Sequence, residues 1–358
     1  MSGGSVYGFI FYGILRSLLE KKMVLLHEIK TVHATSVGCI IMILVVLLDD
    51  ITLLDTYLID RPWHNVISIS IIDVLKVWKD TGIYEKDIIE SIFLPVFNAK
   101  DISLSITMID FYLLTHIEFH FFTVDVQTNT LIDLSYKSHP TWTVIECVYA
   151  SCCLPILCKP FCKDDMICTD GGIISNCSLS ELINDETIIE NKNQILCISI
   201  NNCSTLSKNF TFLDYMMKLL SNIINQTAYL KHVKDIHFIC VEQTMTIFEL
   251  NKVCESVQER KKLIDNGILL GNQYLKSINN NETVEKEKED NINEKEKEDN
   301  INEKEKEDNI NEKEKEDNIN EKEKEDNIVA QNEKEILNKT EQYFTTFLSF
   351  LSFIYQMK

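Results

Sequence analysis

The stretch "TVHATSVGCIIMILVVLL", Thr31 to Leu48, constrains the fold more than any other part of the chain. From Cys39 to Leu48 every residue is apolar, and the run stops at Asp49-Asp50. A helix that is apolar on every side must be buried by neighbours all round, not set at a surface. It is also shorter than the roughly 20 apolar residues that span a bilayer. Before it come a short strand, Ile29–His33, and a tight turn of small residues at Ser36. Strand, turn and fully buried helix imply an α/β fold with parallel strands covered by helices on both faces.

The rest of the first 280 residues agrees with that class. Residues 5–21 read as a helix, because Val6, Ile10, Ile14 and Leu18 recur every four residues after Gly3 and Gly4. Residues 66–116 are expected to be mainly helical, with short strands near Ile67–Ile71. Glu118–Tyr136 reads as two strands around the polar turn Gln127–Thr130. The segment "TVIECVYASCCLP" predicts a helix halted before Pro155. Next, "CKPFCKDDMICTDGG" predicts strand, Asp164-Asp165 turn, strand and Gly-Gly turn. Gln194–Ile200 and Ile236–Gln243 are expected core strands, and Phe212–Leu230 and Leu250–Ile278 expected helices.

Charge separates this part from the C-terminal remainder of the chain. Residues 284–328 are five nine-residue units of the type "NEKEKEDNI", the first beginning with Val284. Each has four acids and two lysines, so the block carries −10 and, with a neutral tail, leaves −10 of the total −20 on the first 283 residues. A nine-residue period turns successive isoleucines about 180° apart on a helix, so no apolar stripe forms and no core can be built. We expect a folded domain over 1–280, an acidic low-complexity spacer over 281–330 and an apolar tail over 331–358. The acidic balance argues against a nucleic-acid binder, which needs a basic footprint. The 12 cysteines show neither C-x-x-C pairs nor zinc-ligand spacing, so they read as reduced thiols, and no metal or cofactor is expected. No signal peptide is visible, which points to a cytoplasmic chain, peripheral at membranes.

Three short pieces carry the chemistry. In "SGGSVYG", Ser2 to Gly8, glycines lead into a helix N-terminus, where backbone N–H groups can face an anion; the plain alternative is a loose N-terminus. Ala34-Thr35-Ser36-Val37-Gly38 is close to the G-x-S-x-G turn that holds a nucleophilic serine; the plain alternative is Ser36 as a helix N-cap. In "TDGGIISN", Asp170 ends a strand before Gly171 and Gly172 and could accept a serine proton; Asp-Gly is equally a common turn pair.

In their order and spacing the three resemble the patatin-like phospholipase family. "VYASCCLPILCKPF" is similar to that family's Ala-Ser-x-x-x-Pro segment, with Ala150, Ser151 and Pro155 in the matching places. The resemblance covers residues 1–200 well and extends loosely to about 280, so it implies an acyl hydrolase domain over 1–280. It implies a patatin-like three-layer α/β fold with a mainly parallel central sheet covered by helices. It also implies a Ser–Asp dyad without histidine: Ser36 as nucleophile, Asp170 as general base, and backbone amides of Gly3, Gly4 and Ser5 as the oxyanion hole. Ala34, Gly38, Gly171 and Gly172 would complete the motifs, and phospholipids or other lipid esters would be the substrates. Ala34 and Ser5 stand where the family has glycines, Tyr7 where it has a basic residue, and Ser178 where it has proline. The chain starts at Met1, so the strand that precedes the glycine loop in the family is expected to be missing and the loop to fray.

Two rivals stand beside this reading. A Ser–Asp–His triad would draw on His232 or His237, which follow Asp170 in chain order, while His33 beside the turn reads as a strand residue. From another class, the chain would be a catalytically impaired patatin-fold module that binds lipid or a partner. In the tail, Phe344, Phe347, Leu348, Leu351, Ile354 and Tyr355 form one broad helical face, which we expect to touch a membrane surface or a partner rather than dock on the domain.

Overall fold

The computed structural model describes residues 1–70, 72–73, 77, 79, 81–177, 192–202, 208, 210, 212–227, 236–243 and 247–278. The expected spacer, the apolar tail, His232, Ser178 and Ile71 lie outside the described residues. The chain divides into two units, Met1–Thr283 and Val284–Lys358.

The first helix, α1 (Gly8–Glu20), follows a 3-10 turn at Ser5–Tyr7. Its stripe of Ile10, Ile14 and Leu18 is fully buried. β1 (Thr31–Thr35) runs into the apolar helix α2 (Val37–Leu47), in which Cys39, Ile43 and Leu44 have no exposed surface. α3 (Ile51–Asp60) begins at Asp50, whose carboxylate accepts from the Thr52 and Leu53 amides. A short β2 (Gly82–Tyr84) precedes α4 (Asp87–Ala99) and α5 (Met108–Thr115). β3 (Glu118–Asp125) and β4 (Thr130–Leu134) form the expected hairpin. α6 (Val144–Cys152) starts with a Thr143–Glu146 capping box. β5 (Ile156–Cys158), β6 (Phe161–Lys163), β7 (Met166–Asp170) and the one-turn α7 (Gly172–Ser175) come next. Then come β8 (Leu196–Asn202), α8 (Phe212–Thr227), β9 (His237–Gln243), α9 (Ile247–Glu255) and α10, residues 257–278.

Two expectations change. β1 begins two residues later than Ile29, and residues 67–70 form no strand; the short strand of this region is β2, which pairs in parallel with β5. Short apolar runs do not reveal their pairing partners, so periodicity alone could not place these edges.

The sheets are mixed. β1 is parallel to β3 and β8 to β9, whereas the β3–β4, β3–β7 and β6–β7 pairs are antiparallel. β1 and β7 lie end to end along one edge of β3. β1 pairs with Glu118–Phe122 and runs the same way as β3, while β7 pairs with Thr123–Asp125 and runs the opposite way. Their C-terminal ends therefore meet at the Phe122–Thr123 boundary, which puts the residue after β1 beside the last residue of β7.

The N-terminus, expected to fray, is held. The Met1 ammonium donates to the His33 carbonyl at 2.6 Å, the Thr35 amide to Met1 O at 3.1 Å, and the Ser2 amide to Ile198 O at 3.0 Å. These two residues bond to β1 on one side and β8 on the other. Ser2 is fully buried there.

Candidate active site

Ser36 occupies the turn between β1 and α2 with φ 54° and ψ −127°. That is a costly conformation for a residue with a Cβ, and such strain concentrates at functional turns. As N-cap of α2 its side chain makes no capping bond, so the plain N-cap reading does not describe it. The turn is supported from outside. The Ser36 amide donates to Ser151 Oγ at 2.9 Å, and the Ser151 hydroxyl donates to the Phe122 carbonyl at 2.6 Å. Ser151 is thus a support that the Ala-Ser-x-x-x-Pro segment already marked. Ala34 costs the turn nothing: it sits in β1 opposite Phe121, fully buried, and positive φ falls only on Ser36. Gly38 is required for contact: a Cβ there would come within 2.7 Å of Ser2 O and 2.8 Å of Met1 O.

Asp170 ends β7 at 5% exposure. Its carboxylate accepts a hydrogen bond from the Gly172 amide at 2.8 Å, and the Ser36 side chain lies near enough to favour its ionised form. Burial raises its pKa from 3.8 to about 6 because a dry site disfavours the charged form, while the Ser36 side chain and the Gly172 amide pull the other way. Near neutral pH the group is ionised yet basic enough to take a proton.

The glycine loop reaches the same place. Gly3, Gly4, Ser5, Ser36, Asp170 and Asn176 all line one cavity of about 230 Å³. Gly3, expected among the oxyanion donors, is otherwise engaged: its amide donates to Asn176 O at 3.3 Å and Oδ1 at 3.1 Å. Among the described residues the amides of Gly4 and Ser5 have no hydrogen-bond acceptor. Ser5 holds φ 50°, a conformation that a glycine would adopt without steric cost. Asn176 is the site residue that sequence reading passed over; it stands in the "DGGIISN" segment but 173 residues from the loop it fixes.

The remaining walls are apolar, from Ile41, Leu44, Leu58, Trp63, Ile92 and Leu220 among others. Among the described residues no histidine lines the cavity. His237 Nδ1 instead pairs with the Tyr274 hydroxyl at 2.8 Å, and His33 stacks on His120 with ring centroids 4.4 Å apart. Ser221 Oγ, on α8, is buried in this wall without a hydrogen-bond partner among the described residues.

Serine, carboxylate, two open amides and an apolar cavity are the parts needed to bind an acyl group and attack its carbonyl. By structure the chain is similar to VipD from Legionella pneumophila, at 15% identity and a TM-score of 0.45, over 77% of this chain and 66% of VipD. It is also similar to the type III effector protein ExoU, at 12% identity and a TM-score of 0.35, over 77% of this chain and 52% of ExoU. The chain therefore spans slightly under two thirds of the first and about half of the second. No curated protein matches the sequence. The sequence profile described as patatin-like phospholipase matches residues 1–183, just over half of the 358 residues and a range that includes the glycine loop, Ser36 and Asp170. The chain belongs to the patatin-like phospholipase family.

Proposed function

We propose that the chain is a lipid acyl hydrolase that cleaves acyl esters through a Ser36–Asp170 dyad. The observation that carries this reading is that Ser36, in its strained turn, and the buried Asp170 carboxylate line one apolar cavity, with the Ser36 side chain near enough to favour the ionised carboxylate. Ser36 Oγ attacks the ester carbonyl while its proton passes to Asp170. The oxyanion is held by the amides of Gly4 and Ser5, fixed in place before the charge develops. Gly3 acts one step back, by tying the loop to Asn176. The alcohol leaves with the proton from Asp170, and the acyl group stays on Ser36. Water then gives its proton to Asp170 and attacks the acyl carbonyl, releasing the fatty acid and restoring Ser36. The acyl chain lies along Leu44, Leu58 and Ile92. Phospholipids are the proposed substrates, and the C-terminal tail a proposed membrane contact.

The test is fatty-acid release from mixed phospholipid vesicles by wild type, Ser36→Ala and Asp170→Asn. Each substitution is expected to lower the rate by about a thousandfold or more, as loss of a nucleophile or its base does. Equal release by all three would refute the dyad and leave the reading of a patatin-fold lipid- or partner-binding protein.

A further inference from the structure

Two buried thiols face each other beside the glycine loop. Cys177 and Cys197 are 5% and 4% exposed, and their Sγ atoms lie 2.9 Å apart, one thiol donating to the other. That is within about 0.9 Å of a disulfide bond, which measures about 2.05 Å. The pair forms a small cluster apart from the main core, with Ile195, Ile236 and Phe238 packed round it. The plain role of a buried cysteine is that of a small apolar side chain. The position of this pair gives it a second one.

Each thiol adjoins a residue that holds the N-terminal loop. Cys177 follows Asn176, whose backbone and side-chain oxygens accept the Gly3 amide at 3.3 and 3.1 Å. Cys197 precedes Ile198, whose carbonyl accepts the Ser2 amide at 3.0 Å. The Ser175 hydroxyl donates to the Cys177 carbonyl at 3.3 Å, which fixes Cys177 to the end of α7. Ser2-Gly3 is thus gripped from two sides, by the residue after α7 and by β8, and the thiol contact joins those sides directly. Gly4 and Ser5, the proposed oxyanion donors, continue from that grip.

We propose that Cys177 and Cys197 are a redox-active pair that a hydroperoxide converts into a disulfide, and that this bond locks the grip on the oxyanion loop. With hydrogen peroxide, one thiol loses its proton and its sulfur attacks a peroxide oxygen. The O–O bond breaks, the sulfur becomes a sulfenic acid, and the departing hydroxide takes the proton and leaves as water. The second sulfur then attacks the first. The S–S bond forms, the S–OH bond breaks, and the hydroxide leaves as water with the second thiol's proton. Two S–H groups and one peroxide give one disulfide and two waters, the sulfurs oxidised and the peroxide reduced. The Cys177 hydrogen bond and burial hold the Cys197 thiol well above its ordinary pKa, so the first step is slower than at a low-pKa sensor thiol. The second step is fast, because the partner sulfur is already in contact. The bond closes a 20-residue loop, which also restricts the unfolded chain. The thiol chemistry stands apart from the hydrolysis proposed above; only its bearing on the oxyanion donors rests on that reading.

The experiment treats the full chain with hydrogen peroxide and maps the products by peptide mass. A Cys177–Cys197 cross-link that dithiothreitol reverses is expected. The cross-linked chain should melt about 5 °C above the reduced one. Amide hydrogen exchange at Ser2 and Gly3, followed by NMR, should slow by about tenfold, a change that a bond remote from the loop would not produce. Cys177→Ser and Cys197→Ala should each abolish all three responses to peroxide. Where either variant folds poorly, the wild type compared before and after dithiothreitol decides the matter alone. Oxidation confined to the exposed Cys162 and Cys240 would overturn the proposal, as would a cross-link that leaves exchange at Ser2 and Gly3 unchanged. If the cross-link forms and exchange slows but the wild type releases no fatty acid, the hydrolase reading fails while the redox pair stands.

Discussion

In the proposed dyad Asp170 is the carboxylate on which both pH dependence and stability turn. Its pKa in the folded chain, about 6, lies above the ordinary 3.8. Between these values the folded state holds a proton that the unfolded state has released. The stability linked to that proton is fully present below about pH 4 and is lost as pH rises through about 6. Activity moves the other way, because the base must be ionised. Release of fatty acid is expected to fall on the acid side with an apparent pKa of about 6. Asp170→Asn, although expected to be inactive, should melt higher than wild type at pH 7 and show little advantage at pH 4. Thermal melts across that range check this, and a gap that does not grow with pH would refute it. At this scale the sequence was legible where chemistry is local. "HATSVG" and "DGG" name the serine and the carboxylate because each needs small neighbours in a tight turn. Asn176 and the commitment of the Gly3 amide were not legible, because that contact joins residues 173 positions apart.

Elements bring the residues together through strand ends. β1 and β7 meet head to head along β3, and no pattern within either strand states that they share an edge. Hydrophobic alternation fixes which face of a strand is buried but not its neighbour, which is why β1 shifted by two residues and β2 replaced the strand expected near Ile67. The helices contain a similar hidden device. Arg260 lies in "QERKKL", which reads as a solvated charge run, yet it is 1% exposed. Its guanidinium donates to the carbonyls of Ile59 and Arg61 at the end of α3 and of Val253 and Cys254 at the end of α9. Helix ends leave such carbonyls without partners, and one rigid fork satisfies two ends at once. The same helix, α10, approaches α1 so closely that a Cβ on Gly267 would fall 2.2 Å from Ile10 O. Arg260→Met is expected to cost about 3 kcal/mol or more, because several buried carbonyls lose their donor. Arg260→Lys should recover only part of this, since one ammonium cannot reach both helix ends. Urea melts of the three proteins decide it, and a loss under about 1 kcal/mol in the methionine variant would show the fork to be dispensable.

At the scale of the whole molecule the sequence divides by its ability to bury surface. Met1–Thr283 holds every element named above, while the nine-residue period of the five acidic units would set successive isoleucines about 180° apart on a helix and so spells no continuous apolar face. Cutting the chain after Thr283 removes half of the formal charge, from −20 to −10, together with the aromatic tail. Because every bond named above lies within Met1–Thr283, the shortened chain is expected to melt within about 2 °C of the full chain, a difference under about 1 kcal/mol. It should also turn over a soluble short-chain ester at the same rate. Vesicle binding is the property that should change. The tail, proposed above as a membrane contact, is removed with its Phe344, Phe347, Leu348 and Leu351. Flotation of the 1–283 chain with phosphatidylcholine vesicles should therefore fall below that of the full chain. Equal flotation of the 1–283 and full chains would show that the tail adds no lipid contact.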